Sequence, residues 1–118
     1  MRKVYVYSDE DEDIYKRLNK AGPHFVSKFQ FILKYIKDEG NILCEPYVKH
    51  FSVEKYKQFY ELRLRSAGNM IRVIYIEKDG CLILLYAFSK RDRRDTQKAL
   101  EHSLKILQNM SDDNLKEV

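Results

Sequence analysis

Residues 60–88 read YELRLRSAGNMIRVIYIEKDGCLILLYAF. In Tyr60-Glu61-Leu62-Arg63-Leu64-Arg65 apolar and charged side chains alternate strictly, the mark of a strand with one buried face. Ser66-Ala67-Gly68-Asn69 supplies a turn, and Met70 to Glu77 a second strand. Lys78-Asp79-Gly80 carries the Asp-Gly chemistry of a tight hairpin. Cys81 to Phe88 is almost continuously apolar, which puts that strand in the middle of a sheet, covered on both faces. Three consecutive antiparallel strands therefore decide the fold, and the flanking segments attach to them.

Upstream, Val4-Tyr5-Val6-Tyr7 reads as a short strand rich in β-branched and aromatic residues. A first helix is expected over roughly residues 12–20, ending near Gly22-Pro23. Phe25, Phe29, Ile32, Leu33 and Ile36 recur at helical spacing, with Lys28, Lys34 and Lys37 elsewhere on the wheel, so a second helix follows. Gly40-Asn41 stops it, and residues 41–57, with Pro46 and His50, read as irregular. Downstream of Ser89-Lys90-Arg91-Asp92-Arg93-Arg94, a helix is expected from near Asp95-Thr96, with Leu100, Leu104 and Leu107 as its apolar stripe. The tail Ser111 to Val118 is expected to fray. The order is β-α-α-β-β-β-α, an α+β layout: one domain over residues 1–110, a small twisted, mainly antiparallel sheet with helices packed on it.

The 118 residues are enough for a single core and too few for two. Nine tyrosines and six phenylalanines need somewhere to pack, which excludes a disordered tail. No run approaches the ~18 apolar residues of a membrane span. The first residues start basic but turn acidic at Asp9, which does not suit a signal peptide, and a cytoplasmic location is expected. Cys44 and Cys81 read as reduced thiols of a cytosolic protein. Asp9-Glu10-Asp11-Glu12-Asp13 repel one another and read as an exposed turn leading into a helix.

Net charge is +4, and its distribution says more than its size. Residues 1–54 carry nine basic and nine acidic side chains, whereas residues 55–105 carry twelve basic and six acidic. An excess confined to one contiguous half suits a surface that meets phosphate.

There is no Walker loop, no dinucleotide fingerprint, no nucleophile elbow and no C-x-x-C pair, and His24, His50 and His102 lie far apart. No cofactor and no metal are therefore expected. What remains is a set of cations on regular structure. Arg63 and Arg65 share one face of their strand. Arg72 interrupts an otherwise apolar strand, so its guanidinium must find an anion. Either it pairs with Glu61 on the neighbouring strand, or it forms part of a phosphate site, which suits bidentate arginine geometry. Lys90-Arg91 directly follows the central strand, with Arg93-Arg94 beyond it. If the strands pair in order, Arg63, Arg72, Lys90 and Arg91 converge on one sheet surface. Such a surface would stabilise the pentavalent phosphorane formed when a 2′-hydroxyl attacks its own phosphodiester.

Tyr60-Glu61-Leu62-Arg63, Ile71-Arg72-Val73-Ile74-Tyr75 and Leu84-Leu85-Tyr86-Ala87-Phe88-Ser89-Lys90-Arg91 together resemble the RelE/ParE toxin superfamily, and within it the phage-derived, HigB-like branch. The resemblance implies a microbial-RNase-like fold and the toxin of a type II toxin–antitoxin module. It implies an endoribonuclease that cuts ribosome-bound mRNA without metal, leaving a cyclic phosphate. Carried over by position, Arg63, Arg72 and Arg91 match residues that hold or activate the scissile phosphate, and Lys90 matches the adjacent basic position. By the same analogy Lys55, Lys57, Arg65, Arg93 and Arg94 would hold ribosomal RNA. A cognate antitoxin with a helix-turn-helix domain is implied as partner, and with it operator DNA. Glu61 and Thr96-Gln97 stand where some members place acid–base groups, so the general base is open among Tyr86, Lys90, His50 and His102. Two other readings stay beside the nuclease: a ParE-like gyrase inhibitor or catalytically degenerate toxin, and a plain RNA-binding module.

Overall fold

The computed structural model describes residues 2–39, 48–66 and 68–118. Along the chain run β1 (Val4–Tyr7), α1 (Ile14–Ala21), α2 (Pro23–Glu39), β2 (Val48–His50), β3 (Tyr60–Ser66), β4 (Asn69–Lys78), β5 (Cys81–Ser89), α3 (Arg93–Asn109) and β6 (Leu115–Glu117). Single 3₁₀ turns sit at Glu54–Tyr56 and Asp112–Asn114. The fold is α+β. Its six-stranded sheet has the order β2-β3-β4-β5-β1-β6, and β1 with β5 is the parallel pair in an otherwise antiparallel arrangement.

The hairpins form for the reasons their residues suggest. Asp79 (φ 53°) and Gly80 (φ 79°) both take the left-handed conformation that a two-residue hairpin loop requires, so Lys78 pairs with Cys81. Gly68 (φ 82°) serves the β3–β4 turn, of which Ala67 lies outside the described residues. β5 runs between β4 and β1, with Leu82 to Leu85 buried. A bulge between Ile74 and Tyr75 shifts the β4–β5 register by one residue.

Each face of the sheet has its own core. Leu62, Leu64, Val73 and Leu84 meet Leu18 of α1 and Phe25, Phe29 and Ile32 of α2 on one face. Ile74, Ile76, Leu85 and Phe88 meet Leu100 and Ile106 of α3 on the other, together with Phe51, Tyr56 and Phe59. Leu104 and Leu107 are partly buried against this second core.

Four segments differ from the sequence reading. Residues 48–50, expected as irregular, form β2 on the outer edge of β3, with Val48 opposite Leu62. Three residues are too few to display an alternation. α3 begins at Arg93 rather than near Asp95, because Asp92 caps it: its side chain accepts from the Arg94 and Asp95 amides, and Asp95 returns a bond to the Asp92 amide. α1 likewise starts at Ile14 on an Asp13 cap. The tail expected to fray instead pairs antiparallel with β1, setting Tyr5 opposite Glu117 and Tyr7 opposite Leu115. It covers an edge that would otherwise stand open, with Val118 on one core and Leu115 on the other. Cys81 is a free, half-buried thiol beside the hairpin, whereas Cys44, Pro46 and the Gly40-Asn41 helix stop lie outside the described residues. Among the described residues no helix is long and apolar enough to cross a membrane.

Candidate functional site

Strict alternation along β3 places Glu61, Arg63 and Arg65 on the sheet face shared with α3, and the register sets Arg63 directly opposite Arg72 of β4. Like charges at such a pair repel. The compensation is Glu61, whose side chain is almost fully buried. Arg63 Nε donates to Glu61 Oε1 at 3.1 Å. Arg72 Nε lies 3.1 Å from the same oxygen, at an angle that makes an ion pair but no hydrogen bond. The two arginine side chains keep 19% and 14% of their exposure, against 3% for the Glu61 side chain. The cluster thus presents its cations, with a net charge of +1, and hides its anion.

Phe88 of β5 sits opposite Arg72, and Ser89 opposite Ile71. Lys90 and Arg91 follow at once, so the register brings them to the same end of the sheet as the arginine pair, one step past the strand. Both are exposed, as are Arg93 and Arg94 in the first turn of α3. The loop is anchored by backbone: the Arg91 amide donates to Asp95 Oδ2 at 2.7 Å and the Asp92 amide to the same oxygen at 3.2 Å. These two bonds hold the Asp95 carboxyl below the usual range. Arg65 is exposed near the end of β3, where Lys28 of α2 donates to its carbonyl. Lys55 and Lys57 stand apart on the 3₁₀ turn before β3; Lys57 forms an exposed pair with Glu54 at 3.0 Å, and Lys55 lies over the Tyr56 ring.

A second cluster gathers at the other edge of β5. β1 pairs only with Leu82 to Leu84, so from Leu85 onward that edge has no neighbouring strand among the described residues. Arg17 and His102 close over it. Arg17 makes a bidentate pair with Glu12, Nε to Oε2 at 2.9 Å and Nη2 to Oε1 at 3.0 Å, and its guanidinium lies 4.8 Å from the centre of the Tyr86 ring. His102 Nε2 is 3.4 Å from Glu12 Oε1, and its ring centre is 4.5 Å from that of Tyr86. These side chains edge a recess of about 350 Å³ also lined by Phe88, Asp95 and Lys98.

Two of the proposed base candidates, Tyr86 and His102, are thereby brought together. His50 is not with them: it stacks on Tyr60 at 4.6 Å on the far edge of the sheet, its Nε2 against the Lys57 carbonyl. The acidic stretch is spent on local structure, since Asp9 accepts from the Asp11 and Glu12 amides and Asp13 caps α1. Tyr7 donates to Asp9, and this bond is the main reason the Asp9 carboxyl sits low, while burial first and Asp9 second push the Tyr7 phenol up to about 12. Sequence reasoning missed Glu12 and Arg17 as members of any site. Glu12 read as part of the acidic turn and Arg17 carried no signal of its own, and only the packing of α1 beside β5 and α3 joins them to Tyr86 and His102.

Comparison with known proteins adds a family to this geometry. No curated protein matches the chain. Among solved structures, the chain is similar to the solution structure of a conserved hypothetical protein, HP0894 from Helicobacter pylori, at 19% identity and a TM-score of 0.48, over 75% of this chain and 94% of that one. The family model described as "Phage derived protein Gp49-like (DUF891)" matches residues 16–111. That span runs from α1 through the arginine pair and the whole of α3, and on it the chain belongs to the phage-derived Gp49-like family, a family associated with the toxins of toxin–antitoxin systems.

Proposed function

We propose that this protein is the toxin of a type II toxin–antitoxin module and that it cleaves ribosome-bound mRNA without metal, so halting translation. One observation carries the reading. Arg63 and Arg72 oppose each other on neighbouring strands at the end of the sheet where the exposed Lys90-Arg91 loop emerges. A phosphodiester lying on that face meets two guanidiniums capable of bidentate contact, with Lys90 and Arg91 above it, and a developing phosphorane dianion is what such a group of donors stabilises. Arg65, Arg93 and Arg94 extend the basic surface toward ribosomal RNA, which Lys55 and Lys57 meet separately from the turn before β3. The work is done in the cytoplasm. Family membership supports a cognate antitoxin as partner. In this reading that antitoxin carries a helix-turn-helix domain, so that operator DNA is reached only through it, and an acidic segment of it complements the basic face.

Glu61 supports a second reading. A buried carboxylate between two arginines is also a structural device, and if its whole purpose is to stabilise the sheet, the toxin acts by binding alone, as a gyrase inhibitor or a degenerate RNA-binding relative. Expression in a bacterial host without the antitoxin, with primer extension on a reporter mRNA, separates these readings. Growth arrest with cuts at codon-spaced positions, absent from Arg72→Ala, is the expected result. Arrest without cuts would move the target to gyrase or another protein, and neither arrest nor cuts would leave an RNA-binding relative. The melting temperature of Arg72→Ala serves as the control for folding.

A further inference from the structure

RNA cleavage by this route needs a group that takes the 2′-hydroxyl proton, and the surroundings of the candidate side chains narrow it down. Glu61 sits between two guanidiniums at 2% exposure, out of reach of a nucleotide. Lys90 stands exposed on the loop among the cations assigned to the phosphate. His50 is occupied by Tyr60 and the Lys57 carbonyl. His102 differs from all three. Its side chain is 42% exposed, it edges the recess between α1, β5 and α3, and its ion-pair partner is Glu12, whose Oε1 lies 3.4 Å from the buried Nε2 without hydrogen-bond geometry. The partner is itself fixed, because Arg17 grips both oxygens of Glu12. The recess adjoins the arginine face across a single side chain, since Phe88 lines it and is also the register neighbour of Arg72.

Resting on the nuclease reading, we propose that His102 is the proton acceptor for RNA cleavage, with Glu12 as its positioning residue and the recess as the seat of the nucleotide whose 2′-hydroxyl reacts. In the reacting complex a small turn of the ring brings Nε2–H onto Glu12 Oε1, which leaves the lone pair of Nδ1 to take the 2′-hydroxyl proton. The 2′ oxygen then bonds to its own phosphorus, the bond from phosphorus to the 5′ oxygen breaks, and the departing oxygen takes a proton from water. The products are a 2′,3′-cyclic phosphate and a 5′-hydroxyl. Glu12, Arg17, Tyr86, Asp95 and Lys98 face the histidine from the surrounding elements, and Asp9 acts on it at longer range.

The test is the pH dependence of cleavage of a 5′-labelled mRNA on programmed ribosomes by the purified full chain. Wild type is expected to lose kcat/KM as pH falls and the base is protonated. His102→Gln should lower kcat by about 10²- to 10⁴-fold with little change in KM, and should abolish that acid limb. Glu12→Gln should lower kcat by roughly tenfold to hundredfold, the usual cost of losing an orienting partner. Added imidazole should restore part of the rate of His102→Ala, an outcome that a merely structural histidine would not give. If His102→Gln cuts at the wild-type rate with its acid limb intact, this inference fails and the nuclease reading stands. Should wild type itself make no cut, both fall. If neither histidine variant folds, Glu12→Gln decides alone, and an undiminished kcat there overturns the assignment.

Discussion

Arg63 and Arg72 would push their strands apart if nothing lay between them, and Glu61 is placed to prevent it, two residues before Arg63 on the same face. Removing its charge leaves two half-buried guanidiniums facing each other. Glu61→Gln, which keeps the shape, is therefore expected to cost about 2–3 kcal/mol, measured as a fall in denaturant midpoint at unchanged slope. An unchanged midpoint would mean that the arginines are solvated and that Glu61 has some other purpose. The burial-raised phenol of Tyr7 gives a second residue-scale expectation. The folded state binds this proton more tightly than the unfolded chain, whose tyrosines titrate near pH ~10. Its share of stability is thus complete below about pH 10 and lost as pH rises toward about 12. Burial raises Tyr15 and Tyr75 as well, so wild-type melting temperature should fall as pH rises above about 10, and Tyr7→Phe should fall less steeply. The Glu61 pairing could be read in the sequence as one of two fates for Arg72, because i,i+2 spacing on a strand sets the face. The Glu12–His102 contact could not, since nothing local links the entry of the first helix to the middle of the last.

At the scale of elements, what was legible follows from how much each segment repeats its own period. β3, β4 and β5 announce themselves by alternation, by Asp-Gly and by an apolar run, and α2 by a long stripe. Short edge strands carry no such signal. β2 and β6 exist because β3 and β1 offer them open edges, a tertiary cause invisible in three residues. The start of α3 was legible in principle, since Asp92 and Asp95 form a capping box, but the second member is an aspartate where glutamate is usual. Asp92→Ala should cost about 1 kcal/mol in thermal stability and loosen the backbone of the basic loop, seen as faster hydrogen exchange at Arg91 and Arg94. Truncation after Met110 should cost about 2–4 kcal/mol, because the β6 ladder and its flanking bonds, Ser8 N to Asn114 O and Val118 N to Val4 O, are lost. The exposed β1 edge should also raise self-association, visible in light scattering. A truncated chain with wild-type stability would show that the pairing contributes nothing.

Over the whole molecule, the neutral first half builds β1, the two helices that cover one face and the acidic loop, while the basic second half builds the three central strands and α3. The excess of cations therefore falls on the β3–β4–β5 end of the sheet and the start of α3, as its confinement to one stretch of sequence suggested. The convergence of Arg63 with Arg72 is realised by the register, whereas Lys90 and Arg91 reach the same end from a loop, and Lys55 and Lys57 stand off on a separate turn. The central claim, that the paired arginines hold a scissile phosphodiester for attack by its own 2′-hydroxyl, is tested most directly by the end groups of the cut RNA. Ribosome-bound mRNA would be incubated with wild type and with a folded Arg63→Gln, Arg72→Gln double variant, and the 3′ ends of the fragments identified. The account predicts 2′,3′-cyclic phosphate ends from wild type and a loss of at least about 10³-fold in the double variant, since two charge-assisted contacts to the transition state are removed. A 3′-hydroxyl end, or cuts that persist in the double variant, would contradict it.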